Sequence, residues 1–116
     1  MTAPLFHIAL PDEWESATAA GTYERSTRGR SLADEGFIHC SHRHQVEATA
    51  NRFYAELPAL VLLTIDRSRI DSPIVEEAAV DGGELFPHIY GPIPVDAVVD
   101  ATLWPRGSDG FVLGAE

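Results

Sequence analysis

The sequence predicts one α+β domain with a mostly antiparallel or mixed sheet and two main helices. Apolar residues follow helical spacing in two segments, one near the N-terminus and one near the middle of the chain. Short apolar runs, separated by turn residues, crowd the second half of the chain and are typical of strands. The connections between these runs are too short for repeated βαβ crossovers, so antiparallel pairing is favoured.

Length and charge limit what the chain can be. Its 116 residues suit a single domain spanning residues 1–116, which can bury a sufficient core without a disulfide or a metal. The net charge is −10, and all eight basic residues are arginine. A field this negative argues against non-specific binding to nucleic acid or to an anionic membrane. A small anionic ligand stays open, because five arginines fall within residues 25–52.

The sequence shows no targeting signal. The apolar run at residues 59–65 is far shorter than the roughly 20 residues that a membrane-spanning helix needs. The N-terminus lacks a basic region and soon reaches Pro11, unlike a signal peptide. The single cysteine, Cys40, excludes an internal disulfide. We therefore expect a cytoplasmic protein with no membrane partner, and the oligomeric state is open.

The first elements are a strand at residues 5–10 and a helix at residues 13–20. Alternation places His7 on one face of the strand with two small or apolar neighbours, and the larger apolar side chains on the other face. His7 is therefore expected on a less apolar side that faces a pocket. For the helix, Asp12 is the expected N-cap and Gly21 the residue that ends it.

The middle of the chain contains a capped turn, a short strand and the second helix. Ser31 is expected to cap a single turn that Gly36 ends, and a strand follows at residues 37–40. Ser41 is then expected to cap a helix that runs over residues 44–57. The apolar stripe of this helix consists of Val46, Ala50, Phe53, Tyr54 and Leu57.

The second half is mostly strands. Residues 60–65 are apolar on both faces, which predicts a central strand that is covered on both sides. A short helical segment is expected at residues 95–97, after Pro94. Further strands are expected at residues 74–80, 85–90, 98–103 and 111–113.

Chemically, the most informative segment is Phe37-Ile38-His39-Cys40-Ser41. Neighbours on a strand point to opposite faces, so His39 and Cys40 cannot form a nucleophile–base pair by themselves. Cys40 is expected to pack in the core as a small apolar group. His39 and Ser41 can share a face, where His39 is either a pocket residue or a structural histidine.

Two further polar features carry weaker predictions. Glu76 and Glu77 lie in the same predicted strand, so only one of these carboxylates can face a given side. His39, His42 and His44 are close in sequence, but the chain has no second cysteine and no His-Glu-x-x-His motif. No metal site is therefore predicted, although a histidine metal site is kept as a minor alternative.

Several motifs are shared with a known family. They are Leu5-Phe6-His7-Ile8, Trp14-Glu15, Gly21-x-Tyr23, Ser31-Leu32-x-x-Glu35-Gly36-Phe37-Ile38-His39-Cys40-Ser41, Arg52-Phe53-Tyr54 and Phe86-Pro87-His88-Ile89-Tyr90-Gly91-Pro92-Ile93. Over about residues 5–104, the chain resembles the DUF952 family of small bacterial domains. The resemblance implies a fold similar to that of the ADP-ribosyltransferases and tRNA 2′-phosphotransferases. That fold has a split, mixed sheet around a nicotinamide-dinucleotide cleft.

The resemblance also implies roles for individual residues. ADP-ribosyltransferases carry a histidine on the first strand of the cleft, and His7 resembles it. Ser41 is similar to a later serine or aromatic position, so His7, His39 and Ser41 are the candidate catalytic residues. From the residues themselves, His88 and Tyr90 are polar groups in a short apolar segment, and they are expected to line the same cleft and to bind the ligand.

Arginines are the expected phosphate ligands, because the phosphotransferases contact phosphate through arginines and a histidine. Arg28, Arg30 and Arg52 are the candidates. A transferase would also carry a catalytic glutamate on a late strand, but residues 93–98 contain none. This departure counts against NAD-dependent transfer, and the acidic charge counts against a tRNA partner.

Two function classes follow from these observations. The first is a transferase, or a degenerate one, that holds a small ligand of the NAD or ADP-ribose type in a histidine-lined cleft. The second is a non-catalytic binding or interaction module in which the histidines have structural roles.

Overall fold

In the computed structural model, which describes residues 3–78 and 81–113, ten strands and three α-helices form an α+β fold. In chain order they are β1 Leu5–Ala9, α1 Pro11–Ala20, β2 Thr22–Tyr23, β3 Arg25–Thr27, β4 Arg30–Ser31, α2 Leu32–Glu35, β5 Ile38–His39, α3 Arg43–Phe53, β6 Ala59–Ile65, β7 Ile74–Ala78, β8 Leu85–Ile89, β9 Ile93–Pro94 and β10 Val98–Pro105. Short 3₁₀ turns lie at Arg67–Arg69 and Val95–Ala97.

The strands form four small sheets, and each pairing between the described strands is antiparallel. One sheet has the order β1-β6-β10 and another has the order β5-β8-β7. The remaining two sheets are the pairs β2-β9 and β3-β4. The predicted α+β class and largely antiparallel pairing are confirmed, but the mixed character is wrong for the described residues. The short connections leave no room for parallel crossovers.

The sheet β1-β6-β10 separates two apolar clusters, as the alternation in the first strand predicts. Leu5 and Ala9 lie in one cluster, whereas Phe6 and Ile8 lie in the other. The prediction that β6 is central is confirmed, because β1 pairs with one edge of it and β10 with the other. A chain of this size therefore folds around one central strand with apolar side chains on both faces.

Helix α1 begins with proline instead of a side-chain cap. Pro11 occupies the first helical position, and Leu10, which has no capping side chain, is the N-cap. The predicted cap at Asp12 is wrong. Proline has no backbone N–H that would need a capping partner, and its φ is already that of a helix, so Pro11 can start the helix without a side-chain cap. Asp12 lies in the first turn, where its charge favours the helix dipole. Gly21 ends the helix at φ 95°, as predicted.

The N-cap of helix α3 lies one residue after the predicted cap, Ser41. Ser41 is not a cap, because its backbone N–H and C=O both pair with Phe6. His42 is the N-cap, and its N–H donates to the Gln45 side chain at 2.9 Å. By contrast, Ser31 caps α2 reciprocally with Asp34, as predicted for that turn.

The end of α3 and strand β7 also differ from prediction. Phe53 is the last residue of α3 and is 55% exposed, so its place in the apolar stripe is wrong. The next residue, Tyr54, is buried, as its place in the predicted stripe requires. Strand β7 ends at Ala78 within the described residues, and Ala79 and Val80 of the predicted strand lie outside them. No helix among the described residues is long and apolar enough to span a bilayer.

The C-terminal segment is held by side chains of α3, not by strand pairing. The predicted strand at residues 111–113 is wrong. Asn51 accepts from the Phe111 N–H at 2.7 Å and donates to the Phe111 carbonyl at 2.8 Å. Glu47 accepts from the Leu113 N–H at 3.0 Å, and Phe111 is fully buried. A side-chain amide thus replaces a neighbouring strand.

We expect Asn51→Ala to lower the free energy of unfolding by about 2 kcal/mol, because two hydrogen bonds to buried backbone are lost together. Urea unfolding measures this loss, and hydrogen exchange should show faster exchange at Phe111. Asn51→Asp is the matched variant, because it keeps the acceptor for the Phe111 N–H and loses the donor. An unchanged unfolding midpoint in Asn51→Ala would contradict the docking role.

Candidate functional site

Two histidines lie side by side on the outer face of the sheet β5-β8-β7. His39 on β5 is directly opposite His88 on β8, and their ring centroids are 4.9 Å apart. Their neighbours Ile38 and Ile89 are also paired, and both are fully buried on the opposite face. The period of two in a strand therefore turns both imidazoles away from the core.

Two larger rings complete this surface. Phe37 stacks on His88 at 4.2 Å between centroids, with 13° between the planes, and meets His39 edge-on at 4.7 Å. Tyr90 is tilted against Phe37 at 5.3 Å. We call the group Phe37, His39, His88 and Tyr90 the histidine face. The side chain of His39 is 40% exposed, whereas that of His88 is 9% exposed beneath Phe37.

A glutamate from β7 binds one side of the histidine face. Glu77 Oε1 accepts from His88 Nδ1 at 2.8 Å and from the Tyr90 hydroxyl at 2.5 Å. These hydrogen bonds, first that of Tyr90 and then that of His88, lower the pKa of the Glu77 carboxyl. The hydrogen bond from the Tyr90 hydroxyl to Glu77 also raises the pKa of Tyr90. Glu76 points the other way and contacts His42, so one carboxylate faces each side, as predicted.

A second glutamate binds the other histidine. Glu35, the last residue of α2, accepts from His39 Nε2 at 3.2 Å and pairs with Arg30 at 2.9 Å. The His39 bond and then the Arg30 bond lower the pKa of Glu35. Each histidine thus has its own carboxylate. An ionised carboxylate only accepts, so a neutral histidine donates to it through one ring nitrogen and keeps the other as a hydrogen-bond acceptor.

The backbone of β5 is anchored along the edge away from β8 by two buried side chains. His7 Nδ1 donates to the His39 carbonyl at 2.5 Å, and the Ser26 hydroxyl donates to the Phe37 carbonyl. Strand β5 has β8 as its strand neighbour on one edge, so these side chains satisfy carbonyls on the other edge. The segment that carries Phe37 and His39 is thereby fixed relative to the core.

His7 is 3% exposed and has partners at both ring nitrogens. Its Nε2 accepts from the Tyr23 hydroxyl at 2.9 Å, because Nδ1 already donates to a carbonyl. Burial lowers the pKa of His7 to about 4, so the ring is neutral at pH 7. Burial also raises the pKa of Tyr23, so its hydroxyl keeps its proton. The structure places His7 beneath the histidine face and not on it.

The other predicted site residues are divided between two places. Arg30 reaches the histidine face through Glu35. Arg28 pairs with Glu56 and donates to the Phe53 carbonyl at 3.1 Å, and Arg52 lies over the Phe53 ring at 5.2 Å. These two arginines therefore contact the end of α3. Ser41 is buried next to β1.

Cys40 behaves as the sequence predicts. Its side chain is buried in the same apolar cluster as Ile38 and Ile89, and burial raises the pKa of its thiol. A protonated, inaccessible thiol is a poor nucleophile. The cysteine therefore belongs to the core beneath the histidine face.

A second histidine pair lies at the start of α3. His42 and His44 stack in parallel at 5.9 Å, and their respective partners are Glu76 at 2.9 Å and Glu84 at 3.7 Å. They adjoin an open depression of about 580 Å³. Its lining consists of Ala3, Pro4, Phe6, His42, Arg43 and His44. Within residues 3–78 and 81–113, no three His, Cys, Asp or Glu side chains are grouped so that they could hold a metal ion.

The importance of Phe37, Glu35 and Glu77 was missed or left open by the sequence. One sequence pattern does indicate this surface. Phe37-Ile38-His39 has the order aromatic, isoleucine, histidine, and His88-Ile89-Tyr90 has the same three types in the reverse order. Two such segments pair naturally as antiparallel strands with their isoleucines inward. The glutamates gave no comparable signal, since their contacts depend on the tertiary fold.

The family model and the similar solved structures both show which family this chain resembles. The model of the family described as a protein of unknown function, DUF952, matches residues 8–101. The crystal structure of protein CC0527 from Caulobacter crescentus has a TM-score of 0.80 and 30% identity, over 94% of this chain and 92% of that one. The solution NMR structure of the same protein gives a TM-score of 0.77, over 95% and 91%. No curated protein matches. The chain belongs to the DUF952 family.

Proposed function

We propose that the histidine face binds a small ligand with a flat ring, of the NAD or ADP-ribose type. One observation carries the proposal: two histidines lie side by side, each with its own carboxylate, on a surface made of aromatic rings. Stacking on Phe37 and Tyr90 would hold a ring without a deep cavity. Exposed His39 and Tyr90 supply the first contacts.

The charges on the face favour a ligand ring that is positive or electron-poor. Arg30 neutralises Glu35, whereas Glu77 receives hydrogen bonds from His88 and Tyr90 and keeps its negative charge. An aromatic surface beside a carboxylate attracts a cationic ring through cation–π and Coulomb terms. The nicotinamide ring of NAD has this character.

The same groups define the chemistry of a transferase, if the face turns over its ligand. In this proposal the fold is related to that of the ADP-ribosyltransferases. Glu77 stabilises the positive charge that grows on the sugar carbon as its bond to nicotinamide breaks, and neutral nicotinamide leaves with the electron pair of that bond. A water or acceptor hydroxyl forms the new bond to that carbon, and His39 takes its proton. His7 and Ser41 act as positioning residues, because both are buried and both fix the segment of β5.

Ligand binding by variants tests the proposal. We expect NAD to bind the wild type, and Glu77→Gln and Phe37→Leu each to weaken its affinity about tenfold, equivalent to about 1.4 kcal/mol. Saturation-transfer NMR gives the affinities. His44→Gln is the matched control, because His44 also pairs with a glutamate but its side chain is 73% exposed at the start of α3. Equal affinity in all four proteins, or no binding by the wild type, would count against the site.

A second candidate is an interaction module with structural histidines, and the burial of His7 and the cover of Phe37 over His88 favour it. The stability of His39→Ala separates the two. If His39 serves a ligand, its loss should cost less than about 1 kcal/mol, because its ion pair is partly exposed. A loss of more than about 2 kcal/mol, measured by urea unfolding with an unchanged ligand profile, would support the structural role.

A further inference from the structure

Strand β10 forms an edge of the sheet β1-β6-β10. Seven of its eight residues pair with β6 on one side, with a β-bulge at Val99, and no strand among the described residues lies beyond it. Six of these eight side chains are exposed, and Trp104 is buried. An edge of this length presents backbone N–H and C=O groups on which another extended segment can pair.

The composition of this edge is unusual for an acidic chain. The strand carries exposed Val99 and Leu103, at 56% and 61%, and its one charged residue is Asp100. The carbonyl of Val112 accepts from the Trp104 indole at 3.1 Å, on the face of β10 opposite to Leu103. Among the described residues, seven large apolar side chains are exposed, and two of them, Val99 and Leu103, lie on this strand. Such concentration is typical of contact surfaces.

We propose that β10 pairs with β10 of a second copy of this chain, antiparallel and about a two-fold axis at Ala101. A two-fold axis requires a strand that is complementary to itself. In this register Asp100 of one copy lies opposite Thr102 of the other. Val99, which is the bulge residue against β6, lies next to Leu103 of the other copy. The Thr102 hydroxyl already donates to the Asp100 carboxylate at 2.5 Å within one chain, so the two side chains are suited as neighbours.

Neighbouring registers are less favourable. An axis at Asp100 would place this carboxylate opposite its own copy, and like charges directly opposite one another are destabilising. An axis at Thr102 would place Val99 opposite Pro105, which has no N–H to donate. The axis at Ala101 avoids both problems. It also lets two chains of net charge −10 approach along a strand with a single acidic residue.

The resulting dimer has one continuous sheet of six strands, within the usual size of sheets. It is expected to be weak. About five residues a side take part in the pairing, whereas a standard stable interface uses about 20 to 30 a side. The association should also strengthen with salt, because screening reduces the repulsion between two acidic chains.

Cross-linking tests the register directly. Residues directly opposite in an antiparallel pair have Cα atoms about 4.5 to 5.5 Å apart, which a disulfide can span. Ala101→Cys should therefore form a covalent dimer under mild oxidation. Leu85→Cys is the matched control, because Leu85 is 51% exposed but lies on the central strand β8. Equal cross-linking in the two variants would overturn the proposal.

Sedimentation of the uncrosslinked protein gives the second arm. The wild type should show concentration-dependent association that added salt strengthens and that Leu103→Lys removes. Leu85→Lys makes the same charge change elsewhere and should leave the association intact. A wild type that stays monomeric at millimolar concentration, or association that Leu103→Lys leaves unchanged, would refute β10 as the interface.

Discussion

Replacing His7 with alanine should lower the free energy of unfolding by about 4 kcal/mol, since it combines a buried cavity with two lost hydrogen bonds. The imidazole is 3% exposed and joins Tyr23 on β2 to the carbonyl of His39 on β5. Without it, a buried hydroxyl and a buried carbonyl have lost their partner. A loss this large is a considerable part of the stability of a small domain.

Urea unfolding at neutral pH measures the effect. Because the alanine variant can fail to fold, a double-mutant cycle with His7→Leu and Tyr23→Phe provides a second route. The double variant should be less destabilised than the sum of the single variants, because it leaves no hydroxyl without a partner. Strict additivity, or a loss below about 1 kcal/mol in His7→Ala, would show that His7 does not fix β5 to the core.

Acid should destabilise the protein in a pH range that His7 sets. Burial lowers the pKa of His7 from 6.5 to about 4, so the unfolded chain binds a proton there that the folded chain excludes. The contribution of His7 is therefore complete above pH 6.5 and is lost as the pH falls to about 4. The total loss is roughly 3 kcal/mol, of which about 2 kcal/mol falls above pH 4.5.

Unfolding free energies at pH 6.5 and at pH 4.5 isolate this effect, because the lowered pKa values of Glu35 and Glu77 act below their ordinary value of 4.5. Removing the imidazole in His7→Gln should flatten the dependence between these two pH values. A wild-type profile that is flat across that range would mean that His7 is accessible to protons in the folded state.

The sequence predicted those parts of the fold that depend on local chemistry. The two faces of β1, the central position of β6 and the end of α1 at Gly21 follow from alternation, apolar runs and a positive φ. The predictions were wrong where a residue that is distant in the sequence determines the local structure. Ser41 has the composition of a helix cap, but its backbone is used by Phe6 on β1.

The candidate site was predicted in part for the same reason. His39, His88 and Tyr90 were identified because they stand out as polar groups in short apolar strands. Their partners Glu35 and Glu77 come from α2 and β7. No local sequence motif indicates that these two elements lie next to β5 and β8. Among the arginines, Arg30 is next to the site, whereas Arg28 and Arg52 contact Phe53.

The most direct test of the account is a titration with NAD followed by the imidazole ¹H–¹⁵N signals of the histidines. The signals of His39 and His88 should shift together and saturate, whereas those of His42 and His44 should stay in place. The stacked pair His42 and His44 at the start of α3 thus serves as an internal control within one sample. Shifts confined to His42 and His44, or no shift at millimolar NAD, would contradict the assignment of the histidine face as the ligand site.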